Sequence, residues 1–438
     1  MANTTITRNE ADPVGNTTTF TLSQWVKRSK ISAEQAIVSH RYTNTYYFHV
    51  RFNDNDTMNI EEYNNGQTLL LTTNRKFRDV NGWYHIVVAC DTTQSTASNR
   101  IKLYINGVQE TSFSTANYPS QNANLVIDGG AGYVRNYGDR GDGAMYFDGA
   151  MSHIHYTQGT AYDSSAFGST DSTTGEWKIN PGPSVTYGSK GYFILKDGNS
   201  VTDQSGNSNN FTVASGNLTN TEDCPSNVFT TWNMLANFNN TLTFSEGNLK
   251  GIANSTSSTW FSARATLGFT SGKWYWETKF TGLTDPVPAY IGVVDESAAL
   301  NINDAHNSNG NTLYYNGSGG EMRVDGSATS NDYGNFSTSD ICGVAVNADD
   351  NLITIYKNGS AIITDYALST TRTGFLFPTA AATNTSSGTN SNGLITNFGS
   401  PPFAISSGNT DGNGYGNFEY AVPSGYYALN TANLAEFG

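Results

Sequence analysis

The run Asp54-Asn55-Asp56 followed by Glu61-Glu62 gathers acids closely enough to suggest chemistry. Two carboxylates about 5–10 Å apart across a glycosidic bond would make a glycoside hydrolase. On a strand such acids would alternate, Glu-x-Asp-x-Glu, to share one face. No such spacing occurs, so the cluster reads as a solvated, turn-rich loop with no catalytic role. His153-x-His155 would place two imidazoles on one strand face, a possible metal pair. No glutamate follows at metal-site spacing. The two rings therefore read as solvent-side neighbours of core Ile154 and Tyr156. Asp128, Asp139, Asp142 and Asp148 stand among glycines. Calcium takes six to eight oxygens, and these acids form no ordered ladder, so turn formation is their expected role. Arg140-Gly141-Asp142 spells a cell-adhesion tripeptide, read here as a chance of three common residues. No glycine-rich phosphate loop or Gly-x-Ser-x-Gly elbow appears. A nucleophile–histidine–acid triad stays open. The expectation is no enzyme, no metal and no cofactor.

Aromatic rings are the remaining candidates, at 12% of the chain. They anchor protein interfaces and stack on sugar faces. Trp25, Trp83, Trp274 and Trp276 fall in framework strands, where core packing is expected. Rings assigned to loops are the expected ligand contacts: Tyr42, Tyr46, Tyr133 and Tyr137 in the first half, and Tyr290, Tyr314, Tyr315 and Tyr333 in the second. A structural or subunit-contact role for them stays equally open.

The elements that would carry these rings are β-strands. Helical periodicity is almost absent. Short alternating runs are punctuated by Gly, Asn, Asp and Ser, as in sandwiches and barrels. Strands are predicted at Phe20–Val26, Tyr46–Phe52 and Met151–Tyr156, and one short helix at Ser32–Ser39. One pattern occurs twice. Trp83–Cys90, a polar loop and Ile101–Ile105 end on Asn106-Gly107; Ile341–Val346, a turn and Leu352–Lys357 end on Asn358-Gly359. Asn-Gly accepts the positive φ angles of a type I′ hairpin. Two antiparallel domains of similar logic follow, over residues 1–220 and 221–438, with a connector near Gly216–Ser226. Ala380–Asn392 reads as a long polar surface loop.

Composition narrows the partners. The 438 residues are too many for one ordinary core. Charged residues are only 14%, against about 25% in typical domains. Net charge is −14, both halves are acidic, and no basic run exists to neutralise phosphates. Nucleic acid and anionic membranes are therefore not expected partners. Cys90 and Cys342 lie in apolar strands and Cys224 precedes Pro225. Neither a metal spacing nor a disulfide framework results, which predicts folding in a reducing cytosol. No signal peptide or membrane-length apolar stretch is expected.

The first half resembles the laminin-G-like, concanavalin A-like family through Phe20–Lys27, Trp83–Val87, Leu103–Gly107 and Phe147–Met151. Asp203–Phe211 is similar to a segment of such modules in phage proteins. The second half resembles SPRY domains through Gly272–Glu277, Ile291–Val294, the Ile341–Gly359 hairpin and Asn397–Phe403. The ending Ala421–Leu434 is similar to structural proteins of marine bacteriophages. These resemblances imply an all-β chain of two concanavalin A-like, jelly-roll antiparallel sandwiches in tandem. They further imply a non-enzymatic phage protein, assembled in the host cytoplasm onto the particle's exterior. It would act as a tail-fibre-like or receptor-binding component that adheres to host surface glycan or protein. Other virion proteins would be its partners, and a symmetric homo-oligomer, such as a trimer, its state. Two alternatives remain: a capsid decoration or head-fibre protein, and a polysaccharide depolymerase.

Overall fold

The computed structural model describes residues 3–9, 18–196, 198, 200–237, 242–253, 260–282, 285–298, 310–317, 319–329, 331–383 and 392–438. The chain divides into two units, Met1–Asn220 and Thr221–Gly438. Each is a pair of antiparallel sheets around its own apolar core.

In the first unit an eight-stranded sheet runs in the spatial order Phe113–Asn117, Gln67–Thr73, Met58–Asn64, Tyr46–Phe52, Gln35–Thr43, Val134–Tyr137, Thr5–Asn9 and Thr212–Ser215. A six-stranded sheet orders Tyr192–Ile194, Gly149–Gln158, Thr19–Arg28, Tyr84–Asp91, Ile101–Ile105 and Val108–Glu110. Side chains alternate along each strand. Phe48, Val50 and Phe52 thus enter the core with Ile60, Leu69 and Leu71, facing Phe20, Leu22, Ile86 and Val88. The predicted helix at Ser32–Ser39 is instead the start of the Gln35–Thr43 strand. Ile37 and Val38 are β-branched, and strands pair with this segment on both sides.

A second layer covers the other face of the six-stranded sheet. Trp25 and His85 stack at 4.7 Å, and Trp177 of the small Gly168–Thr170/Trp177–Ile179 hairpin stacks on His85 at 5.9 Å. The Asp203–Phe211 segment closes the unit. Buried Asp203 accepts the amides of Phe193 (2.9 Å), Ser205 (2.8 Å) and Asn209 (2.8 Å).

In the second unit Trp232–Asn237, Trp260–Ala265, Leu376–Thr383, Ala289–Asp295, Thr312–Asn316, Glu321–Val324 and Ser327–Ala328 form one sheet. Leu242–Ser245, Lys250–Ala253, Gly393–Asn397, Lys273–Thr281, Cys342–Asn347, Leu352–Lys357 and Ser360–Ala367 form the other, joined by Tyr427–Ala428. Trp274 and Trp276 are both fully buried in the core. The C-terminal segment packs Phe418 against Tyr275 at 5.3 Å. Buried Glu277 fixes it by accepting the amides of Glu419 (2.9 Å) and Tyr420 (2.8 Å). The predicted loop at Ala380–Asn392 begins otherwise: Ala380, Ala381 and Ala382 are buried in the Leu376–Thr383 strand, between two neighbours. Residues 384–391 lie outside the described residues.

Both Asn-Gly turns form as expected, with φ of 48° and 83° at Asn106-Gly107 and 48° and 80° at Asn358-Gly359. The parallel goes further. Asn106 Oδ1 accepts the His85 amide (2.7 Å), and Asn358 Oδ1 accepts the Ile341 amide (2.9 Å). Each asparagine therefore ties its turn to the start of the neighbouring strand that pairs with the one leading into it.

Candidate ligand-binding surfaces

The acidic cluster is not a solvated loop. Only Asp54 of its carboxylates is exposed. Asp56 is fully buried and binds Arg28 (3.2 Å), Arg78 (3.0 Å) and the Ser32 amide (2.7 Å). Burial pushes the Glu62 carboxyl up, against the Thr68 hydroxyl and Val126 amide that bond to it. Asp56 and Glu62 replace water with protein donors, so they hold loops in place rather than await a substrate.

The histidine pair is also corrected. His155 is buried, its Nδ1 is 2.9 Å from the Tyr187 hydroxyl, and its ring stacks on Phe193 at 3.9 Å. His153 sits at φ 47°, where the strand register shifts. Ile154 and Tyr156 do face the core. Among the described residues no group of three or more His, Cys, Asp or Glu is placed to hold a metal ion. Asp139 is buried and accepts the Gly143 amide (3.2 Å), Asp148 is part-buried, and the Asp128 side chain lies outside the described set. Arg140 and Asp142 clasp each other at 2.6 Å, so the tripeptide is folded onto itself.

A serine–histidine contact exists at Ser23 Oγ–His85 Nε2, 2.9 Å. The third partner has the wrong polarity for a triad. Trp177 Nε1 donates to His85 Nδ1 at 2.9 Å, so Nε2 carries the proton and donates to Ser23. That tautomer cannot take a proton from the serine.

The eight tyrosines separate by strand face. Only Tyr133 and Tyr333 lie outside strands; the other six, assigned to loops by sequence, are in or at the ends of strands. Tyr137 and Tyr314 are core residues, with hydroxyls bonded to Tyr192 (2.7 Å) and to the Gly334 carbonyl, and neither is a ligand contact. Tyr46 and Tyr333 are part-buried against their cores. Tyr42, 56% exposed, stacks on Tyr133 at 5.3 Å at the rim of the first unit. In the second unit Tyr290 and Tyr315 stack at 4.7 Å beside Trp260, with the Arg323 guanidinium 5.6 Å and 5.7 Å from the two rings. Tyr290 itself is 2% exposed.

A further group of rings and charges lies on the outer face of the eight-stranded sheet. Opposite the buried Phe48-x-Val50-x-Phe52, the Tyr46–Phe52 strand carries half-buried Tyr47 and Arg51 and, between them, His49, which is itself buried. The next strand aligns Tyr63 with Tyr47, Glu61 with His49 and Asn59 with Arg51. Tyr63, Tyr47 and His49 form one continuous stack, at 5.7 Å and 4.2 Å. Arg51 Nε donates to Glu61 (3.1 Å), and its Nη1 to Glu34 (2.7 Å) and Asn53 (2.7 Å). His49 Nδ1 makes a long contact with Glu61 Oε1 at 3.4 Å, and both ring nitrogens are buried. Burial lowers the His49 ring pKa and keeps it neutral, despite the nearby Glu61. Burial alone would raise the Glu61 carboxyl, but His49 and Arg51 outweigh it and hold it below its ordinary value. The signal for this face was present in the sequence as polar residues at period two, on the alternate positions of a strand read for its apolar ones.

Comparison with known proteins places this face inside a recognised module. The model of the concanavalin A-like lectin/glucanases superfamily matches residues 2–158, and the SPRY domain model matches residues 273–395. The chain carries a concanavalin A-like sandwich followed by a SPRY sandwich. Among solved structures it is similar to the SPRY domain of human HERC1 (16% identity, 38% of this chain and 96% of that one, TM-score 0.31). It is also similar to the TRIM65 PSpry domain (12%, 38% and 88%, 0.29) and to a heptameric SAP-like pentraxin from Limulus polyphemus (14%, 37% and 72%, 0.27). No curated protein matches the sequence.

Proposed function

We propose that this chain is a non-enzymatic adhesion protein on the exterior of a bacteriophage particle, holding host surface glycan or protein. The observation that carries the reading is the outer face of the first unit's large sheet. There half-buried Tyr63 and Tyr47, stacked on buried His49, border donors and acceptors already fixed against one another. Pre-set groups of this kind lose little freedom on binding.

The face is poorly suited to cutting a sugar. A general acid needs a raised carboxyl pKa. Glu61 is held low by His49 and Arg51, and Asp142 by Arg140 and Arg41. Asp139, which burial pushes up, accepts the Gly143 amide within its own turn. The phage setting is supported by the resemblance of the Ala421–Leu434 ending and by a surface low in charge. Repeated copies on a particle would multiply weak contacts by avidity.

Adsorption competition tests the reading. Purified chain should reduce phage adsorption to its host, and Tyr63→Ala should weaken that competition about tenfold, the scale of one lost ring contact of about 1.4 kcal/mol. Particle imaging should place the chain at the tail. Density on capsid faces with no competition would favour the decoration reading. Release of reducing sugar from host polysaccharide would establish a depolymerase.

A further inference from the structure

Eight Asn-Gly pairs occur in the chain. A glycine nitrogen has no side chain beside it to hinder attack on the carboxamide of the asparagine before it. In seven of the pairs the fold holds one of the reacting groups. The amides of Gly82, Gly310 and Gly414 are donated, to Asp79 Oδ1 (2.9 Å), Asp325 Oδ1 (2.7 Å) and the Asp411 carbonyl (3.0 Å). The carboxamides of Asn106 and Asn358 accept the amides of His85 (2.7 Å) and Ile341 (2.9 Å). Those of Asn316 and Asn392 are buried and donate to the carbonyls of Val287 (3.0 Å) and Thr383 (3.0 Å).

Asn65-Gly66 is different. It forms the tip of the hairpin between Met58–Asn64 and Gln67–Thr73, with Asn65 exposed at φ 52°. Among the described residues neither the Asn65 carboxamide nor the Gly66 amide has a hydrogen-bond partner. A Cβ placed on Gly66 would meet nothing within 4 Å, so the space around the pair is open to water. We infer that Asn65 is the chain's site of spontaneous deamidation, through a succinimide to aspartate and isoaspartate. The Gly66 nitrogen, giving its proton to water, attacks Asn65 Cγ. A C–N bond forms, the Cγ–Nδ2 bond breaks, and ammonia leaves with a proton returned from water. A second water adds to either imide carbonyl and opens the ring. One opening restores the main chain and leaves aspartate; the other routes the main chain through Cγ and leaves isoaspartate. Both products put a carboxylate at the tip of the hairpin that carries Tyr63, and isoaspartate also lengthens the backbone there. Asn64 pairs with Tyr46, and the Asn65 amide donates to the Thr45 carbonyl (2.9 Å). The change therefore falls beside both strands that carry the Tyr63–Tyr47 rings.

The test is peptide mapping by mass spectrometry of the full chain aged in mildly alkaline buffer, once folded and once in guanidinium chloride. In the folded chain the Asn65 peptide should exchange carboxamide for carboxylate about tenfold faster than the other seven pairs, since each of those must first break a hydrogen bond or open the core. In denaturant all eight should react at comparable rates, because the fold and not the local sequence sets the order. Asn65→Gln, whose longer side chain must close a larger ring, should stop the reaction at this peptide and leave the other pairs unchanged. A folded chain in which another Asn-Gly pair keeps pace with Asn65, or in which Asn65 is as slow as the rest, would overturn the inference.

Discussion

Both ring nitrogens of His85 are engaged in a layer that excludes water. Charging the ring would turn its Nδ1 acceptor into a donor facing the Trp177 N–H. Burial accordingly lowers its pKa to about 3. Unfolded, the same ring takes a proton near pH 6.5. Between those values the unfolded chain binds more protons than the folded one, so stability is full above pH 6.5 and declines as pH falls toward 3. His40, His49 and His155 are lowered too, each first by burial, and they add to the same slope. Denaturant unfolding of the wild type at a series of pH values should show this decline. In His85→Gln the glutamine oxygen can still accept from Trp177. Its slope between pH 6 and 4 should be shallower by one proton, about 1.4 kcal/mol per pH unit. Superimposable slopes would show that His85 does not stay neutral in the folded chain.

At the level of elements, the Asn-Gly hairpin is the recurring device, and its glycines have a double constraint. Gly107 and Gly359 both need positive φ, and a Cβ there would fall 2.3 Å from the Trp177 ring and 2.6 Å from the Tyr420 ring. Gly107→Ala and Gly359→Ala should each cost about 2 kcal/mol or more, from backbone strain plus displacement of the ring. Thermal melts should show the loss; a change under about 0.5 kcal/mol would mean that the rings move aside freely. These hairpins were legible because their cause is local, two residues and the strands beside them. The buried acids were not. Asp56 meets Arg28 and Arg78 across 28 and 22 residues, and Glu62 meets Val126 across 64. Nothing near them in sequence marks them as interior. The Tyr47–His49–Arg51 face shows a different failure. Its alternation was visible, but that Tyr63, Glu61 and Asn59 stand opposite depends on strand register, which single-strand patterns leave open. The same gap hid the inward turn of Tyr137 and Tyr314.

On the scale of the whole molecule, each unit is closed by its own aspartate. Asp203 gathers the amides of Phe193, Ser205 and Asn209 in the first, and Asp411 those of Asn413 (2.9 Å), Tyr415 (2.9 Å) and Ala428 (3.0 Å) in the second. Each core is likewise drawn from one unit alone. Self-contained cores of this size are large enough to fold alone. Fragments 1–220 and 221–438 should therefore each unfold cooperatively in a calorimeter, with an enthalpy of about 150 kcal/mol at the scale of ~0.7 kcal/mol per residue. The adhesion face should travel with the first fragment, because Tyr47, Tyr63 and Arg51 belong to it. Fragment 1–220 should then compete for adsorption per molecule as the full chain does, and fragment 221–438 should not. A first fragment that melts cooperatively but no longer competes would show that recognition needs residues of both units.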